Sequence, residues 1–124
     1  MIHGYFPSGT NVPCLEVVIL FHQKVLRSTF ILDTGFSGGL KIDRQTAAEL
    51  GIVSIKEISG ISAGGDKIHA HAAYAYVELG GRRMLTDILI ASGPQLAGIG
   101  LFSLFGCKIV IDCKNRTAHL ELAV

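Results

Sequence analysis

Asp33 stands where two unlike stretches meet: the apolar, strand-forming Phe30-Ile31-Leu32 runs into the glycine-bearing Thr34-Gly35-Phe36-Ser37-Gly38. A lone carboxylate at the end of a greasy strand invites general acid–base chemistry, in which a positioned side chain moves a proton in the transition state. The same residues also suit a purely conformational task, because Asp and Thr hydrogen-bond locally to turn the chain and Gly reaches φ > 0. An Asp-Thr-Gly tripeptide arises by chance in a chain this long on the order of 2–3% of the time. Its apolar approach lowers that several-fold, and on this segment alone both readings stand.

Other residues with chemical potential are placed less well. His69 and His71 share one strand face by period two, but no Asp, Glu or Cys follows at metal-ligand spacing, so they read as surface strand histidines and no metal site is expected. Ser62, Ser103 and Cys107 lack the setting of a nucleophile. Ser62 does sit at the centre of Gly60-Ile61-Ser62-Ala63-Gly64, yet a nucleophile elbow needs a strand-to-helix turn, and Ile68 to Leu79 reads as strand. The glycines between Gly93 and Gly106 come without the Lys-Ser/Thr of a phosphate loop. Asp112, in Val-Ile-Asp-Cys-Lys-Asn-Arg, reads as a strand entering a turn and is taken as structural.

The elements that must position Asp33 are short strands. Cys14 to Phe21 and Val25 to Leu32 flank the polar turn His22-Gln23-Lys24 and form a hairpin that delivers Asp33 to a strand end. After Ser37-Gly38-Gly39 and a brief strand Leu40-Lys41-Ile42, Asp43 caps the one expected helix, with Ala47 and Leu50 on one face and Gly51 as its stop. Lys56 to Ile61 and Ile68 to Leu79 make a second hairpin around Ser62-Ala63-Gly64-Gly65-Asp66-Lys67. Gly80-Gly81 turns into Met84 to Ala91, and Arg82-Arg83 reads as solvated turn charge. Ser92-Gly93-Pro94-Gln95 is a loop, and the tail from Arg116 alternates as a strand.

The chain has 124 residues, 49% of them apolar and 17% charged, with 15 glycines, which suits a turn-rich β domain. Residues 1–124 have room for one core, so one domain is expected. A net charge of +1 without clustered Lys and Arg argues against a nucleic-acid surface or a polybasic membrane patch. No apolar run reaches the ~18 residues of a spanning helix, and Met1 to Pro7 lacks the basic start and apolar core of a secretion signal, so a cytoplasmic protein is expected. Cys14, Cys107 and Cys113, odd in number and without Cys-x-x-Cys pairing, read as buried free thiols.

Three segments together resemble the retropepsin-like aspartic proteases, in particular small bacterial members with a single Asp-Thr-Gly. They are Asp33-Thr34-Gly35 with Ser37 beside it, the hairpin tip Ala63-Gly64-Gly65 in the place of the flap, and Ala97-Gly98-Ile99-Gly100-Leu101. The last is similar to the hydrophobic-hydrophobic-Gly element that backs the catalytic loop, here Ile99 and Gly100. The resemblance implies an all-β fold, a closed barrel or sandwich half with one short helix, working as a homodimer on extended peptide without metal or cofactor. Asp33 would be catalytic. Thr34 would bond across the two-fold axis, Gly35 would allow close packing, Ser37 would either hydrogen-bond Asp33 or merely turn the chain, and Ala63, Gly64 and Gly65 would fold over substrate. Terminal strands often join the interface in dimeric members. One Asp-Thr-Gly per chain means that two copies must meet for two carboxylates to share a proton, as an isologous dimer allows.

This chain departs from the family pattern in Leu101-Phe102-Ser103, where many members carry an acid soon after the supporting glycine, and in a flap tip poor in large apolar residues. An alternative use of the same fold is a dimeric module that binds extended peptides without cutting them.

Overall fold

A computed structural model describes residues 1–61, 64–65 and 67–122. Strand makes up 55% of the described residues. The elements run β1 (Ile2–His3), β2 (Cys14–Phe21), β3 (Lys24–Asp33), β4 (Leu40–Ile42), α1 (Arg44–Leu50), β5 (Lys56–Ile61) and β6 (Lys67–Leu79). They continue with β7 (Arg82–Ile90), β8 (Leu96–Gly98), α2 (Ile99–Phe105), β9 (Cys107–Asp112) and β10 (Thr117–Leu122).

Six strands close a barrel in the order β2-β3-β8-β4-β7-β6, with β6 returning to β2 through Ile19↔Val77. Closure follows from alternation. Leu15, Val17 and Ile19 of β2, Phe30 and Leu32 of β3, Leu40 and Ile42 of β4, Ala73, Ala75 and Val77 of β6, and Ile88 and Ile90 of β7 all point inward and are buried. One face of each strand thus meets the others' faces, and closure leaves few unpaired edges. The long β6 serves three partners: its first half pairs with β5 from Ile61↔Lys67 to Lys56↔Ala72 as an arm beyond the barrel, and its second half pairs with β7 on one side and β2 on the other. A separate three-stranded sheet, ordered β1-β10-β9, packs Ala118 and Leu120 against the same core.

The turns show why the chain reverses where it does. Gly80 and Gly81 both take positive φ, 58° and 78°, as a two-residue type I′ hairpin turn demands. The β2–β3 hairpin turns on two residues rather than the expected three, since Phe21 pairs with Lys24 and His22 takes φ 54°. Helix α1 forms as expected: Asp43 Oδ1 accepts from Thr46 N–H at 2.7 Å, and left-handed Gly51 donates back to the last turn.

Several expectations need correction. A second helix, α2, joins the expected one. Its N-cap is Gly98, which offers no side-chain acceptor, and Gly100 lies inside it, so the usual start signals are missing. It forms because Leu101, Phe102 and Phe105 seal one end of the barrel, and Gly106 at φ 64° ends it. Arg82 is not simple turn charge: it begins β7, donates to the Phe105 carbonyl at 3.2 Å and lies 5.8 Å from the Phe105 ring centre. Arg83 pairs with Glu78 at 3.3 Å. Of the three free thiols only Cys14 is buried, whereas Cys107 is half-buried and Cys113 exposed because it follows the edge strand β9 into a turn. Among the described residues no helix is long and apolar enough to cross a membrane.

Candidate active site

Asp33 is the last residue of β3 and lies beside Gly98 of β8 in a short parallel pairing. The loop it opens is fastened within itself: Phe36 N–H donates to the Asp33 carbonyl at 3.2 Å, and Gly35 N–H donates to Asp33 Oδ1 at 2.9 Å. This is an Asx-type turn whose carboxylate is oriented by its own backbone. Asp33 is half-buried, while Thr34, Gly35 and Ser37 are exposed around it. The donor at Asp33 Oδ1 is thus Gly35, not Ser37; among the described residues the Ser37 hydroxyl makes no hydrogen bond to Asp33.

Behind the loop stands a wall of backbone. Gly98 N–H donates to Gly39 O at 2.9 Å, Ile99 N–H to Phe36 O at 2.8 Å and Gly100 N–H to Gly38 O at 3.0 Å. A Cβ on Gly98 would collide with the Gly38 and Phe36 carbonyl oxygens, and one on Gly100 would lie 2.8 Å from the Gly38 carbonyl carbon and Ser37 oxygen. Glycine is required at both positions for this approach. Ile99 contributes its N–H to the wall, and its side chain is partly exposed.

Two parts of this arrangement escaped the sequence reading. Asp87 accepts from Gly39 N–H through Oδ2 at 3.0 Å, tying β7 to the far end of the loop, and buried Thr86 places its hydroxyl 3.5 Å from Asp87 Oδ1. A signal was present: Thr86 falls on the inward phase of an otherwise apolar strand. The second is Phe36, whose ring lies over Gly98 and Gly38 where any added Cβ would strike it.

The β5–β6 arm ends in the segment read as a flap. Gly64 and Gly65 are exposed, and Gly65 takes φ 87°, whereas Ala63 lies outside the described residues. Between this arm and the Asp33 loop is a cavity of about 300 Å³ reached by Phe36, Lys41, Lys67 and His69. A larger cavity, about 440 Å³, lies on the outer barrel face against Leu20, Tyr74, Tyr76 and Leu85 and touches no residue of the Asp33 loop. Among the described residues no group of three or more His, Cys, Asp or Glu side chains gathers as metal ligands. His71 instead shares a 3.1 Å hydrogen bond with Ser54. Asp112 organises its own turn, accepting from Lys114 N–H at 3.1 Å, Asn115 N–H at 3.0 Å and Asn115 Nδ2 at 2.8 Å.

A closed six-stranded barrel with an Asp-Thr-Gly loop braced by a glycine-bearing strand and a following helix is the retropepsin-like fold. Two solved structures superpose on most of the chain. A retropepsin-like aspartic protease from Rickettsia conorii matches with a TM-score of 0.67 at 18% identity, over 97% of this chain and 88% of its own. EIAV protease, in complex with the inhibitor HBY-793, matches with a TM-score of 0.61 at 19% identity, over 86% of this chain and 98% of its own. No family model matches the sequence, and no curated protein sequence does.

Proposed function

We propose that this chain is an aspartic endopeptidase that works as a homodimer, residues 1–124 forming one catalytic domain per copy. The observation that carries the proposal is the position of Asp33. Its half-buried carboxylate is oriented by Gly35 N–H, and its loop is hydrogen-bonded backbone to backbone against Gly98, Ile99 and Gly100 at the exposed rim of a retropepsin-like barrel. Such bracing serves catalysis, which rewards groups placed in geometry before substrate arrives.

A two-fold axis beside Thr34 would bring two such loops together. Two carboxylates about 3 Å apart cannot both ionise, so the pair retains one proton and titrates in two separated steps. The ionised Asp33 takes a proton from a water as the water oxygen bonds to the peptide carbonyl carbon, and the protonated mate donates to the carbonyl oxygen. The Asp33 that took the water's proton then passes it to the amide nitrogen while its mate takes one back from a hydroxyl of the tetrahedral diol, and the carbon–nitrogen bond breaks, yielding a carboxylic acid, an amine and a pair that again holds one proton. Extended peptide is the fitting substrate because the β5–β6 arm can add backbone hydrogen bonds to a strand lying in the cleft, with Ala63, Gly64 and Gly65 as the flap tip. The β1-β10-β9 sheet, with β9 at its edge, is the proposed second contact between copies. We place the enzyme in the cytoplasm, where free thiols persist.

The test is digestion of a peptide library by wild type and Asp33→Asn from about pH 4 to about 8, with sedimentation of both proteins. Cleavage by wild type, at least ~1,000-fold slower in the variant while both remain dimers, is the expected result. A dimer that binds extended peptides and cuts none would instead identify a binding module. A protein that stays monomeric at every working concentration would remove the shared-proton mechanism.

A further inference from the structure

We propose that the cleft next to Asp33 selects peptides carrying an acidic side chain near the bond to be cut, with Lys41 as the specificity-determining residue. The inference rests on the peptidase reading above and deepens it.

The cavity between the Asp33 loop and the β5–β6 arm has an apolar floor of Phe36, Leu89 and Ala91, and basic walls of Lys41, Lys67 and His69. At about 300 Å³ it stands at the lower end of the size range of ligand pockets. Phe36 connects it to the site, since its N–H is bonded to the Asp33 carbonyl and its ring covers Gly98, the register partner of Asp33. A peptide chain running past Asp33 beneath the arm therefore passes this cavity.

Lys41 sits opposite Leu89 in the parallel β4–β7 pairing, so its aliphatic stem shares the apolar floor while its ammonium reaches toward the Ser92-Gly93 loop. Nζ lies 3.1 Å from where a Cβ on Gly93 would be. The side chain is half-buried. Among the described residues it makes no ion pair, the three salt bridges being Arg27–Glu16, Arg83–Glu78 and Lys108–Glu121, all on other surfaces. The carboxylate further along the same face, Asp87, is committed to Gly39 N–H. Lys67 is preceded in sequence by Asp66, so the charge argument centres on Lys41.

A partly desolvated ammonium over an apolar floor attracts a carboxylate more strongly than a surface lysine does, because the local dielectric is lower. An aspartate or glutamate side chain supplies both needs: methylenes for Phe36 and Leu89, and a carboxylate for Lys41 and His69. A basic substrate side chain meets like charge there, which gives selectivity by repulsion as well as attraction.

The experiment uses fluorescein-labelled octapeptides in which Glu or Gln is scanned through every position. Their binding to full-length Asp33→Asn and their cleavage by wild type are both measured. At one position Glu should outperform Gln about tenfold, with the gain shrinking at high salt. Lys41→Gln should erase the gain, Lys41→Glu should shift the preference to Lys, and Lys41→Arg should retain it. Equal binding of Glu and Gln peptides at all positions, or a Glu preference that survives in Lys41→Gln, overturns the proposal. Cleavage without acid preference leaves the peptidase reading standing and this inference fallen. Acid-selective binding lost in Lys41→Gln, with no cleavage by wild type, does the reverse.

Discussion

Gly98 and Gly100 fill their places by what they lack. The carbonyl groups of Phe36, Ser37 and Gly38 press against them, so the Asp33 loop and its support touch backbone to backbone. Ordinary helix propensity favours Gly100→Ala by up to about 1 kcal/mol, since Gly100 lies within α2. The close approach decides the sign the other way. The new methyl would lie 2.8 Å from two main-chain atoms that no rotamer change can move, and overpacking of this kind costs about 1–3 kcal/mol. Gly100→Ala should therefore unfold at lower denaturant than wild type, and its peptide cleavage should fall by more than the folded fraction accounts for. Both are readable from one denaturation series followed by fluorescence and by activity. Asp33 was legible in the sequence because an acid between a greasy strand and a glycine turn is a rare pattern. Asp87 was not, since its partner is a backbone N–H 48 positions away that no local spacing reveals.

At the scale of elements, local signals fared well where a side chain or a glycine controls the backbone. Asp43 starting α1, Gly51 ending it and Gly80-Gly81 turning β6 into β7 are all cases where chemistry within four residues dictates the outcome. They failed for α2, where burial of Leu101, Phe102 and Phe105 overrides a glycine cap and an interior glycine. The β9–β10 turn offers a test of local control. The Asn115 backbone N–H, then its side-chain amide, hold the Asp112 carboxyl below the usual carboxylate range. A lowered folded-state pKa means that the ionised form stabilises the turn. That contribution is complete above the unfolded value of about 3.9 and drains away as pH falls through the lower folded value. The melting temperature of Asp112→Ala should lie below that of wild type at neutral pH, and the gap should close as the pH drops into the carboxylate range.

On the scale of the whole molecule, the proposed sharing of one site by two chains makes concentration a control variable. If Asp33 works only opposite its symmetry mate, activity per chain must fall on dilution. Once monomer predominates, each tenfold dilution should lower specific activity about tenfold, because dimer forms with the square of concentration. A specific activity independent of concentration down to the detection limit, in a chain shown to be monomeric there, would refute a shared site. Mixing wild type with Asp33→Asn extends the test, since heterodimers should remove activity in proportion to the wild-type chains they capture.

The wall behind Asp33 would also set when the proposed peptidase activity can first exist. The loop that carries Asp33 is braced at Gly39 by Asp87 and along Phe36 to Gly39 by residues 98–100, contacts that join positions 48 or more apart in the chain. Long-range pairings, parallel ones above all, are slow to form because loop-closure entropy must be met before they stabilise anything. A ribosome that has released the Asp-Thr-Gly segment has released only an unbraced loop. If the proposed peptidase reading holds, the cutting edge forms late in synthesis, and a growing chain cannot digest itself or its neighbours while it is being made.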